Sequence, residues 1–145
     1  KLLLYGRSGR ILPVTKEGEL LSAVQLKQLP DVTLLSGEQF EHNLELRRKA
    51  IRLISEIPQS GAFSSKTVSE ILYDNKDGFH LRMMTNGLKV KIGEDQFMIK
   101  GARLNQVLAY LESKSMQAIL VDANLSKKVL VKLKKSNAVV NQIFE

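Results

Sequence analysis

The sequence predicts an α+β fold, a curved antiparallel β-sheet carrying two amphipathic helices. Three observations lead there. Short apolar runs are punctuated by tight-turn signals, among them "KEG", "DNKDG" and "NG". Two longer stretches, one on each side of the "DNKDG" and "NG" turns, repeat their apolar residues at helical spacing. The chain has 145 residues, 43% hydrophobic and 26% charged, which suits one globular domain with enough material for a core. That domain is expected over residues 1–135, with 136–145 as a C-terminal tail.

The first strands are expected at residues 2–5 and 11–14, separated by Gly6 and Gly9. Pro13 suits an edge or a strand start, because it cannot donate a ladder hydrogen bond. Lys16, Glu17 and Gly18 make a tight turn, with glycine supplying the positive φ. The first helix is expected over residues 38–57. Ser36 stands as its N-cap, and Glu38 and Glu41 bring negative charge to the first turn. Phe40, Leu44, Ile51 and Ile54 form one apolar stripe, with Leu46, Ala50, Leu53 and Ile57 beside it. Arg47, Arg48, Lys49 and Arg52 fall toward the later turns, and Pro58 and Gly61 end the element.

A meander follows. A strand at residues 68–73 turns through "DNKDG" into a hairpin about Asn86-Gly87, a pair suited to a type I′ turn. A two-residue loop sets Thr85 opposite Leu88, Met83 opposite Val90 and Leu81 opposite Ile92 on the buried face. Met84 then meets Lys89, and Arg82 meets Lys91, on the wet face. The second helix is expected over residues 99–113, with Leu104, Val107, Leu108 and Leu111 buried and Gly101 weakening its first turn. The all-apolar run 119–121 reads as an inner strand. Its partner, residues 129–133, alternates Val129, Val131 and Leu133 with Leu130, Lys132 and Lys134. Lysine on an outward face is a usual guard of a sheet edge, so the outer edge of this strand is expected to be free.

The net charge of +7 favours acidic partners, nucleic acid or anionic headgroups, but reads better as a solvated basic surface. The absence of cysteine excludes disulfides and thiolate metal sites. No apolar run approaches the roughly 20 residues that span a bilayer. Lys1 in place of an initiating methionine suggests a fragment or a processed chain, whose missing N-terminus has room for a signal or an anchor.

Catalytic chemistry finds little support. His42 shares a helical face with Glu38 and Glu45, a conceivable metal trio that reads better as the solvated start of a helix. His80 reads as a surface histidine. "GRSGR" lacks the ending and the following helix of a P-loop and reads as a hairpin turn. Glu94 and Asp95 in "KIGED" are acids with no environment that would separate their pKa values. There is no triad, zinc set or nucleotide fingerprint, so the expectation is a non-enzyme with no cofactor and no small-molecule substrate. A basic nucleic-acid-binding module is the alternative. Against it, the lysine-rich stretch 127–135 offers phosphates attraction but has no Tyr, Phe or Trp for bases to stack on.

Five segments, in order, resemble the extracytoplasmic β domain of the bacterial cell division family FtsQ/DivIB. They are "VTKEGELL", "LKQLPDVTLLSG" before a helix, the hairpin "LRMMTNGLKVKIGED", the helix "ARLNQVLAYL", and the closing strand pair "AILVDANLSKKVLVKL". Asn124 stands where the family usually has Arg, and Leu125 where an aromatic is common. The resemblance implies a bitopic inner-membrane protein of the division site. Its transmembrane helix and POTRA domain would precede these residues, and its β domain would be periplasmic and part of the divisome at the septum. It implies recruitment of FtsB and FtsL by strand addition to the last strand of the sheet. In this sequence the partner-binding residues would be Leu125, Val129, Leu130, Val131, Lys132 and Leu133, with Leu130 and Leu133 supplying selectivity and lysines favouring an acidic partner.

Overall fold

The computed structural model describes residues 3–7, 9–24, 32–135 and 138–144. Residues 26–31 of the "LKQLPDVTLLSG" segment, Ser8 of "GRSGR" and residues 136–137 lie outside them. The hairpin β1 (Leu3–Arg7) and β2 (Arg10–Val14) opens the fold, and β3 (Leu34–Leu35) lies beside β1. Helix α1 (Leu44–Glu56) leads to the meander β4 (Val68–Asp74), β5 (Gly78–Met83) and β6 (Lys89–Gly93). Helix α2 (Phe97–Ser113) then leads to β7 (Ala118–Leu125), β8 (Lys128–Lys135) and β9 (Ala138–Phe144). All nine described strands join one sheet in the order β2-β1-β3-β4-β5-β6-β7-β8-β9.

The α+β class with two helices is as expected, but the sheet is mixed. The pairs β1–β3, β3–β4 and β6–β7 are parallel. The cause lies in the connections. A tight turn reverses the chain, whereas α1 between β3 and β4, and α2 between β6 and β7, return it to its starting end. A row of buried side chains crosses the sheet in register, from Tyr5 through Leu35, Ile71, Leu81, Val90 and Val121 to Val131. The helices pack on this face. Gly101 lets them approach closely, since a Cβ there would stand 2.9 Å from Pro58 Cδ. The residue that weakened the second helix in isolation is therefore required by its packing.

Both helix starts differ from expectation. Ser36 caps nothing and instead donates its hydroxyl to Glu70. Residues Glu38–Phe40 form one 3-10 turn, and Asn43 caps α1 by accepting the Leu46 N–H at 3.0 Å. Helix α2 begins at Phe97 because Gln96, at φ 53°, turns the chain so that the Phe97 ring packs edge-on against Phe79. It ends in a Schellman motif with Ser115 at φ 53°, where the Met116 N–H donates to Leu111 at 2.9 Å and the Ser115 N–H to Glu112 at 3.1 Å.

The β5–β6 hairpin is slipped relative to the expected register. Leu81 faces Val90 rather than Ile92, and Arg82 faces Lys89 rather than Lys91. Asn86 and Gly87 do take the left-handed turn, at φ 58° and 63°. The Met84 N–H, however, donates to the Thr67 carbonyl at 2.9 Å, which pulls Met84 out of the hairpin and lengthens the loop. The slip moves each partner by two residues, so the buried and wet faces keep their membership.

Residues expected to be a tail instead form β9, which pairs along β8 from Val129↔Phe144 to Lys135↔Ala138. At the opposite border the chain folds back over β2. Gly18 makes the turn, and the N–H groups of Leu21 and Val24 donate to Pro13 and Ile11, both at 2.9 Å. Arg47 holds that turn. It is buried rather than solvated, and it donates to the carbonyls of Gly18 (2.6 Å), Phe40 (2.6 Å) and Glu41 (3.0 Å).

Candidate functional site

The residues expected to meet a partner lie on β7, β8 and the turn between them. Leu125 pairs with Lys128, and Lys127 bridges them at φ 60°. Alternation along β8 then divides the remaining residues between two faces. Val129, Val131 and Leu133 point into the core with 2%, 0% and 6% exposure. Leu130 and Lys132 are half-buried on the opposite face. Leu133 therefore cannot contribute selectivity toward a docked chain.

The larger correction concerns the edge itself. The backbone of β8 is paired on both sides, with β7 and with β9, so its outer edge is not vacant. The alternating lysines that read as an edge guard mark a strand with one wet face. The C-terminal border of the sheet is β9, with the sequence AVVNQIF. It holds no proline, no glycine and no charged residue, and no other described strand pairs with its outer side. Phe144, at its end, packs edge-on against Tyr110 of α2 at 5.6 Å, while Ile143 is 57% exposed.

The face of the sheet away from the helices is basic. One row runs Glu70, Arg82, Lys89, Leu120, Lys132, and the next runs Leu72, His80, Lys91, Asp122, Leu130, Ile143. Arg82 reaches Glu70 at 3.6 Å. His80 is held below the usual histidine value, first by burial and then by Lys89 and Lys91, and its Nε2 has no hydrogen-bond partner among the described residues.

The other candidates disperse. Glu38 lies in the 3-10 turn and His42 before the helix, so neither shares an α-helical face with Glu45. Arg7 of "GRSGR" is bound to Glu41, whose carboxyl it holds below the usual carboxylate range. Glu94 accepts the Tyr73 hydroxyl, which pushes that phenol up. Asp95 accepts from the buried Lys100 at 3.0 Å, and the same ammonium donates to the Ile92 carbonyl at 2.9 Å and to Asn124 Oδ1 at 3.0 Å. Asn124 also fills the space where a Cβ on Gly93 would stand, 2.1 Å from its Oδ1, which fixes glycine at the end of β6. Sequence reasoning treated "DNKDG" only as a turn. The structure brings one donor atom each from Asp74, Asp77 and His80 within 4.8 Å, with the Asp74 carboxylate already accepting the N–H groups of Lys76 and Asp77. A cleft of about 300 Å³ opens between the β5–β6 hairpin and the end of α2, floored by Met83, Leu108 and Leu111. His80, Glu94 and Asp95 are not among its lining.

Comparison with known proteins adds to this geometry. The family model described as cell division protein FtsQ/DivIB, C-terminal, matches residues 4–139. The cell division protein FtsQ of Syntrophotalea carbinolica is 26% identical over 126 residues, covering 87% of this chain and 44% of that protein. That of a Geobacter species is 32% identical over 88 residues, covering 61% of this chain and 32% of that protein. This chain thus spans less than half the length of either relative. The major extracytoplasmic domain of the trans isomer of the division protein DivIB from Geobacillus stearothermophilus has the same fold. It superposes with a TM-score of 0.55 at 20% identity, covering 78% of this chain and 93% of that one.

Proposed function

The chain belongs to the FtsQ/DivIB family of bacterial cell division proteins, and from that premise we propose that it is a non-enzymatic scaffold domain that recruits a division partner by strand addition along the outer edge of β9. The observation that carries this is the composition of that edge. Sheet borders exposed to solvent are ordinarily defended by charge, proline, a bulge or a covering segment. The seven residues of β9 offer none of the compositional defences, and its register with β8 runs unbroken. Main-chain hydrogen bonds to an incoming strand would supply adhesion, and flanking side chains such as the exposed Ile143 would supply selectivity.

The FtsB and FtsL proteins of the divisome are the partners proposed for this edge. The domain would work outside the cytoplasm, tethered to the inner membrane by a segment outside these residues. Among the described residues no helix is long and apolar enough to cross a membrane.

A proline scan of β9 tests the reading. Backbone groups on a strand alternate in direction, so Asn141→Pro and Gln142→Pro differ in which side loses a donor. The variant that loses the outward donor should keep its unfolding midpoint and bind the FtsB–FtsL pair about tenfold more weakly. Undiminished binding by both folded variants would overturn the proposal.

A further inference from the structure

The uncovered face of the sheet carries more positive charge than the fold can use. Cross-strand neighbours of like charge are unfavourable, yet Arg82 lies opposite Lys89. Lys132 sits in register with Leu120, which is itself in register with Lys89, so two lysines flank one leucine across three strands. Lys134 continues the same face of β8. Of the two carboxylates in these rows, Glu70 is paired with Arg82, and Asp122, beside Lys91, accepts the Asn124 N–H at 2.8 Å. Among the described residues, Lys89, Lys91, Lys132 and Lys134 make no salt bridge. Both helices lie on the other side, with the core.

We propose that this face, from β5 to β8, is a docking surface for an acidic, amphipathic protein segment, whose carboxylates meet Lys89, Lys91 and Lys132 and whose apolar residues meet Leu120 and Leu130. Charge complementarity selects the sign of the occupant. The interleaved leucines select a protein segment over a bare polyanion, since a phosphate backbone has nothing to place on Leu120 or Leu130. The surface is continuous with the β9 border through the register Asp122–Leu130–Ile143. One partner can therefore lay a strand on the edge and an acidic segment on the face. To that extent the inference rests on the scaffold reading.

The test uses labelled peptides of alternating Glu and Leu, with a Gln–Leu peptide of equal length as control, against the folded domain. The Glu–Leu peptide should bind and the Gln–Leu peptide should bind far less. The combined variant Lys89→Glu, Lys91→Glu, Lys132→Glu should lose about tenfold or more in affinity, with the loss diminishing as salt is raised. A Lys→Gln set at the same positions replaces it if the reversals do not fold. Equal affinity for both peptides, or affinity indifferent to these variants, overturns the proposal. So does tighter binding of phosphatidylglycerol vesicles or single-stranded DNA that displaces the peptide. The proline variants of β9 separate the two ideas. If they weaken capture of FtsB–FtsL while lysine reversal does not, edge addition stands and face docking falls.

Discussion

The two borders of this sheet are built on opposite principles. At β2 the chain closes its own edge. Pro13 directs its carbonyl outward to the Leu21 N–H, so its nitrogen, which has no hydrogen to offer, also lies on the outer side. Residues 20–24 return over the strand, and the buried guanidinium of Arg47 fastens the turn that brings them back. At β9 there is no proline and no charge, and no described strand follows. One border is thus closed around a buried arginine, and the other has no cover among the described residues.

That contrast can be broken at either end. The largest effect belongs to Val131→Pro. Val131 is fully buried on a strand paired on both sides, so proline should destabilise the domain by about 3 kcal/mol or more, read as a collapse of the urea midpoint. A near-native midpoint would mean that the Val131 N–H is not held in the ladder by either neighbouring strand. Next is Arg47→Ala, which strips three carbonyls of a charged donor and should cost about 3 kcal/mol. Hydrogen exchange of the Leu21 and Val24 amides should rise with it, and unchanged exchange would separate Arg47 from the closure. Asn141→Glu, which places on β9 a charged guard of the sign expected of the partner, should leave the stability within about 0.5 kcal/mol while weakening partner capture about tenfold.

The smallest effect is a pH dependence on the basic face. Burial, then Lys89 and Lys91, keep the His80 pKa below 6.5. The unfolded chain therefore takes up a proton first as pH falls. The contribution of neutral His80 to stability is whole above 6.5 and is lost as pH drops through the folded value. Lys91→Gln should raise the imidazole titration seen by NMR and shrink this loss. A titration unmoved by that change would show that the lysine field does not reach the ring.

Much of the fold is legible in the residues. The faces of β5, β6 and β8 follow from alternation, because one side of each strand is buried and the other wet. The pairing of Val121 with Val131 follows from the two apolar runs around a short polar turn. What failed to show itself depended on distant competition. The slip in the β5–β6 hairpin arises because Thr67, in the turn before β4, captures Met84. The start of α1 moves to Asn43 because Ser36 and Glu41 are engaged by Glu70, Tyr5 and Arg7.

By itself, then, the sequence determined the α+β class, the two helices, the wet and dry faces of the strands and the excess of positive charge, because each is a local period or a count. The tertiary structure alone decided which strand forms the border, that Arg47 is a buried clamp, and that lysines far apart in the chain share one face. Edge position, burial and clustering are properties of which segments lie side by side, and side-chain periodicity within a segment carries no record of its neighbours.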